Sequence, residues 1–117
     1  MSSPLASAYL RLIQTIHRLE SQGPFQRLDA ESVRLLEIIT VAHVEGHPMT
    51  VSAAMKLSTI ASPASIHRKL EILRIANLIT HQFNEGNRRT KYLAPTPLTI
   101  KHYDLLNAEM MSIKAPN

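Results

Sequence analysis

Of the chain's 13 lysines and arginines, seven lie between Thr50 and Lys91: Lys56, Arg68, Lys69, Arg74, Arg88, Arg89 and Lys91. Only Glu71 and Glu85 oppose them there, so this segment carries +5, and the remainder, with six basic and seven acidic residues, carries −1. The whole excess behind the net charge of +4 is therefore local. Cations gathered in one segment suit a polyanion such as the phosphate backbone of a nucleic acid, although a solvated basic surface would look the same by charge alone. The placement within ASPASIHRKLEILRIANLI, residues 61–79, adds to the first reading. His67-Arg68-Lys69 sits on the early turns of a helix, where the macrodipole favours acidic side chains. An external anion facing that end would offset the cost.

Other chemistries find little support. His43 and His47 flank Glu45 in HVEGH with the spacing of a two-histidine metal pair, but Gly46 and Pro48 should end the helix between them. No HExxH pattern or third ligand accompanies them, so no metal site is expected, and a histidine stabilised at a helix C-terminus is the simpler account. No paired carboxylates, Gly-rich phosphate loop or nucleophile–base arrangement is visible, which points away from an enzyme and from any cofactor. The absence of cysteine excludes disulfides, thiolate zinc sites and thiol switches. No apolar run approaches the roughly 18 residues of a membrane span. The opening MSSPLASAYLRLIQ does not read as a signal peptide. A cytoplasmic, nucleoid-associated protein without a membrane partner is expected.

The elements that must position these residues follow from periodicity and punctuation. With 117 residues, 44% of them apolar, the chain is expected to form one domain. Ser3-Pro4 reads as a helix start, and Leu5, Tyr9, Leu12, Ile16 and Leu19 form one stripe, stopped by Gly23-Pro24. Asp29 caps a second helix that ends at Gly46 and Pro48. Met49-Thr50-Val51 is β-prone, and Thr50 can cap a third helix through about Leu57. Ser62-Pro63 opens a fourth, with Ile66, Leu70 and Leu73 buried and Asn77 ending it. Leu78–Phe83 and Lys91–Ala94 are strand candidates around a polar turn, Asn84-Glu85-Gly86-Asn87-Arg88-Arg89. Thr96-Pro97 starts a last helix with the stripe Tyr103, Leu106, Met110 and Ile113. The expected division is an N-terminal helix over 1–22, a core over 28–95 and a C-terminal helix over 96–114.

That order, with Thr50–Ile79 as a helix-turn-helix and the hairpin as a wing, resembles the winged-helix regulators of the multiple-antibiotic-resistance-regulator (MarR) family. The resemblance spans roughly Leu28 to Leu106. It rests on Thr50-Val51, on Ser62-Pro63-Ala64-Ser65-Ile66-His67-Arg68-Lys69-Leu70, on Leu73 and Ala76-Asn77-Leu78-Ile79, on Asn87-Arg88-Arg89 and on Thr96. Asn87 stands where the family carries a wing aspartate. The last helix is shorter than the family's dimerisation helices, so pairing geometry is not carried over. The resemblance implies a mainly α fold with a small β-hairpin: a winged helix-turn-helix with flanking N- and C-terminal dimerisation helices.

It also implies a sequence-specific double-stranded DNA binder acting in transcription as a homodimer. The recognition helix, 62–77, would lie in the major groove and the wing, 84–91, on the minor groove. With Ile66, Leu70 and Leu73 inward, Ala64, His67, Arg68 and Glu71 point outward and Ser65 lies on the flank. Arg68 is the candidate for guanine readout, Ser65 and His67 for a base or phosphate, and Ala64 for close approach. Helix starts capped by Thr50 and Ser62 suit phosphate oxygens. Lys56 and Lys69 are expected phosphate contacts. Arg88 and Arg89, with Lys91 beside them, are placed at the wing. Glu71 is expected to pair with His67 or Arg74. The two terminal stripes, Leu5 to Leu19 and Tyr103 to Ile113, are assigned to dimerisation; folding back on their own domain is the alternative. A winged helix that binds protein instead of DNA is the competing function. The sequence names no small-molecule effector.

Overall fold

The structure is a computed structural model that describes the backbone of residues 4–84 and 86–113, and the side chains of 7–83, 86 and 89–113. Its elements are α1 (Pro4–Gln22), α2 (Ala30–Val44), α3 (Val51–Ala54), α4 (Pro63–Ile75), β1 (Ile79–Asn84), β2 (Asn87–Pro95) and α5 (Pro97–Ser112). The chain separates into two compact units, Leu28–Thr99 and Met1–Arg27 with Ile100–Asn117, the division falling inside α5.

Leu28–Thr99 holds the helix-turn-helix and the hairpin. Leu35, Leu36, Ile39, Ala54, Ile66, Leu73, Leu78 and Leu93 are fully buried in it, and the Ile66, Leu70 and Leu73 stripe read from helical spacing lies in this core. Local signals set the helix ends. Asp29 Oδ1 accepts from the Ser32 N–H at 2.7 Å, and Thr50 Oγ1 from the Ala53 N–H at 3.0 Å. α2 and α4 finish with the same device, a residue in the left-handed region that returns two N–H groups to the last turn. At α2 that residue is Gly46 (φ 83°), with Gly46 N–H donating to His43 O at 3.1 Å and His47 N–H to Ala42 O at 2.9 Å. At α4 it is Asn77 (φ 62°), with Asn77 N–H donating to Arg74 O at 3.0 Å and Leu78 N–H to Leu73 O at 2.9 Å. Gly46 thus closes α2 between His43 and His47, and the two imidazoles do not share a helix face.

Two expectations change. The third helix ends at Ala54 rather than near Leu57, because the chain tightens into turns, Leu57 N–H reaching Ala54 O at 3.1 Å. The hairpin turn also contracts: β2 begins at Asn87, so Arg88 and Arg89 lie on the strand. Pairing runs in register from Ile79 with Pro95 to Phe83 with Lys91, then jumps to Asn84 with Asn87. The register therefore shifts between Phe83 and Asn84, beside the tip. Thr50 bridges Tyr92 antiparallel, and Leu93 N–H donates to Met49 O at 2.7 Å, a one-residue third strand at the β-prone Met49-Thr50-Val51.

The other unit carries α1 and most of α5. The expected cap at Ser3 and the side chain of Leu5 lie outside the described residues. Leu12, Ile16 and Leu19 are half-buried, as are Tyr103, Leu106 and Ile113, whereas Tyr9 and Met110 are exposed. Phe25, buried, stacks on His102 with ring centroids 3.8 Å apart, and Tyr103 meets both edge-on at 5.6 and 5.5 Å. A Cβ on Gly23 would sit 2.8 Å from Leu19 O, too close for a side chain, with His102 Nδ1 at 3.4 Å in ordinary contact. Burial lowers the pKa of His102. No helix among the described residues is long and apolar enough to cross a membrane.

Candidate nucleic-acid interface

The site is built on α4. Ser62 Oγ accepts from the Ser65 N–H at 3.3 Å and Pro63 occupies the first turn, so a cap and a preset φ start the helix at a fixed residue. Ile66 and Leu73 (both 0% exposed) and Leu70 (6%) bury one face. Ala64, His67, Arg68 and Glu71 are exposed on the other, and Ser65 is half-buried at the flank. That is the orientation implied by the sequence. Glu71 pairs with Arg74, whose Nε donates to Glu71 Oε2 at 3.1 Å and whose Nη2 donates to Oε1. Arg74, first among several causes, lowers the Glu71 pKa, and the pair holds both charges within the helix. Arg68 makes no ion pair or side-chain hydrogen bond among the described residues, and neither do Lys56 and Lys91.

The C-terminal end of α4 is clamped by the start of α5. Thr96 Oγ1 donates to Asn77 O at 2.7 Å and accepts from the Thr99 N–H at 3.4 Å, while Thr99 Oγ1 donates to Leu78 O at 2.6 Å. Both threonines are buried. The carbonyls just past α4 are thereby satisfied by residues of the next helix's first turn, and α4, β1 and α5 are tied at one junction. Sequence reading identified Thr96 as a cap but missed this second role and missed Thr99.

Lys69 departs from its expected role. It is only 8% exposed, and its Nζ lies 2.9 Å from Asp29 Oδ2 and 3.4 Å from Glu31 Oε1. The ammonium points into the packing between α4 and the start of α2, so the expected phosphate contact gives way to an internal ion pair. Asp29 serves two elements at once, Oδ1 capping α2 and Oδ2 holding Lys69. The Ser32 N–H and then the Lys69 ammonium hold its carboxyl down to about 2, and Asp29 in turn raises the Lys69 pKa.

On the hairpin, Arg89 and Lys91 are exposed and the Arg88 side chain lies outside the described residues. Thr50 is half-buried with its hydroxyl engaged as the α3 cap, and Lys56 is exposed in the turn after α3. With Lys69 and Arg74 held in ion pairs, Lys56, Arg68 and Lys91 are exposed cations of the Thr50–Lys91 segment that make no ion pair among the described residues, and Arg89 is exposed as well. Exposed apolar groups share α4 with Arg68: Ile72 is 46% and Ile75 73% exposed.

No protein-family model and no curated protein matches the chain. Solved structures do. The YusO protein from Bacillus subtilis superposes with a TM-score of 0.52 at 14% identity, over 93% of this chain and 69% of that one. FabT from Streptococcus pneumoniae, solved in complex with DNA, gives 0.55 at 18% over 93% and 76%. A point mutant of MepR from S. aureus, bound to an oligodeoxyribonucleotide, gives 0.54 at 19% over 88% and 74%. These neighbours are MarR-family transcriptional regulators, and at such identities what the chain shares with them is the winged helix-turn-helix fold.

Proposed function

We propose that the chain is a sequence-specific double-stranded DNA-binding transcriptional regulator that acts as a homodimer, with α4 in the major groove and the β1–β2 hairpin on the minor groove. The observation that carries this reading is Arg68. It stands exposed near the start of a helix whose opposite face is fully buried, with no internal anion engaging it among the described residues. A guanidinium so placed matches guanine O6 and N7, and recognition helices read bases through their N-terminal residues. Ala64, Ser65 and His67 flank it as base or phosphate contacts, while Lys56, Arg88, Arg89 and Lys91 supply cations for the backbone and minor groove. The Ser62-capped start of α4 suits a phosphate oxygen. Thr50 acts by shaping α3, and Lys69 is withdrawn from the contact set. Neighbours solved with DNA or an oligodeoxyribonucleotide support DNA binding in general.

Pairing is supported by Tyr9 and Met110, the members of the two terminal stripes that are exposed among the described residues, and by the exposed Leu10, Leu105 and Met111, which lie off those stripes. Two-fold pairing would set two recognition helices about 34 Å apart along the duplex. No catalytic or cofactor role is assigned to any residue.

Selection of bound duplexes from a random pool tests binding, specificity and half-site symmetry together. Affinity for the selected duplex should then fall roughly 10³–10⁵-fold between about 50 and 200 mM salt, as for about 6–10 neutralised phosphates. Arg68→Ala should cost about 1–3 kcal/mol on that duplex and relax its sequence preference. The competing function, a protein-binding winged helix, is favoured by the exposed Ile72 and Ile75. Partner binding that stays flat across the same salt range would select it.

A further inference from the structure

Resting on the DNA-binding reading above, we infer that Lys69 and Asp29 are positioning residues for recognition: their ion pair fixes the rotation of α4 about its axis and so sets where the Arg68 guanidinium lies. Three observations converge. Lys69 is the one buried charged residue among the described side chains of Leu28–Thr99, and it sits on the recognition helix next to Arg68. Its Nζ meets two carboxylates, Asp29 at 2.9 Å and Glu31 at 3.4 Å. Asp29 is itself immobilised, because its other oxygen accepts from the Ser32 N–H at 2.7 Å.

The contacts of Ile66, Leu70 and Leu73 are close-packed and oppose large axial rotations, but being non-directional they leave the last fraction of an ångström to other contacts. A charge-assisted hydrogen bond is directional and does not. Since Arg68 and Lys69 are consecutive on one rigid helix, any rotation that opens the Lys69–Asp29 bond swings Arg68 by the same angle. Bidentate base readout needs its donors held to within about 0.5 Å. A phosphate contact by Lys69 would break both ion pairs and leave Asp29 and Glu31 unneutralised beside a polyanion. The two roles are therefore exclusive, and the geometry selects positioning.

Lys69→Met keeps the buried stem and removes the ammonium; Asp29→Asn keeps an oxygen for the α2 cap and removes the charge. Both variants and the wild-type protein are checked for folding by circular dichroism. Each is then titrated with the selected duplex and with a random duplex from about 50 to 200 mM salt. The expected result is a loss of roughly tenfold in the ratio of selected to random affinity, part of what a bidentate contact supplies. Random-duplex affinity should stay within about twofold and the salt slope should be unchanged. The double variant should discriminate no worse than either single one, because both remove the same bond. Lys69→Arg, which retains the cation, should restore most of the ratio. A salt slope reduced by about one in Lys69→Met would make Lys69 a phosphate ligand and overturn the inference. So would unchanged discrimination in folded variants, which would leave the pair a role in stability alone. If the wild-type protein binds no duplex, the DNA reading fails and the positioning role with it.

Discussion

The Asp29–Lys69 pair should also leave a signature in the pH dependence of folding, independent of any ligand. The Asp29 carboxyl is held at about 2 against an ordinary 3.8, by the Ser32 N–H first and the Lys69 ammonium second. A carboxyl depressed in the folded state stabilises it fully above the unfolded value, and the contribution is lost as the pH falls through the folded one. The window is therefore about pH 4 down to pH 2. A depression of this size is worth at most about 2.4 kcal/mol by linkage. The Asp29 side chain is 59% exposed, however, and solvent screening cuts the expected value to about 1 kcal/mol. Lys69 runs in the opposite sense. Its raised pKa gives a contribution present below its ordinary 10.5 and lost only as the pH climbs past it, so the bond is constant across neutral pH.

Urea unfolding of the wild-type protein and of Asp29→Asn, at several pH values from 7 to 2, isolates this from the other carboxylates. At pH 7 the wild-type should be more stable by about 1 kcal/mol. That gap should close between about pH 4 and pH 2 as Asp29 takes up its proton. A gap of constant size from pH 7 to pH 2 would refute the assignment, because the asparagine would then be acting through packing or the cap. No gap at pH 7 would refute it as well.

Two further substitutions probe how α2 and α4 are terminated. Thr99→Val keeps the buried shape but removes the donor to Leu78 O, and should cost about 1 kcal/mol in urea unfolding. The loss is bounded because the Thr96 N–H still reaches that carbonyl at 3.1 Å. Gly46→Ala puts a Cβ on a residue with φ 83° that meets no atom within 4 Å, so backbone strain alone should lower stability by about 1 kcal/mol. A neutral result there would mean that the α2 terminus relaxes freely.

Helix boundaries were the most legible part of the sequence, because each rests on one residue with a distinct local preference. Asp29, Thr50, Ser62 and Thr96 act as caps, and Gly46 and Asn77 take the left-handed region that ends α2 and α4. Where several residues of mixed preference follow one another, tertiary contacts decide. VSAAMKL carries a helical composition, yet only its first four residues stay helical. Asn84–Arg89 has turn composition, yet the strand resumes at Asn87, with a shift of register between Phe83 and Asn84.

Lys69 shows two sequence signals in conflict, and why the chemical one misled. Charge and neighbourhood group it with His67 and Arg68 as part of a cationic patch. Helical spacing says otherwise: Lys69 is three residues after Ile66 and four before Leu73, an arrangement that places all three along one stripe. Period alone thus argued for burial, and a buried ammonium demands an anion. That anion was also visible, since a capping Asp29 with Glu31 in the first turn puts two carboxylates at the start of the adjacent helix. What the sequence lacked was the pairing of α2 with α4 at those ends, forty positions apart along the chain. Arg68 meets neither condition. It lies one residue off the stripe, opposite the buried face, and no carboxylate engages it among the described residues. The same periodicity that buries Lys69 therefore leaves Arg68 outward, and one position along the helix separates a side chain held in an internal ion pair from one that faces away from the core.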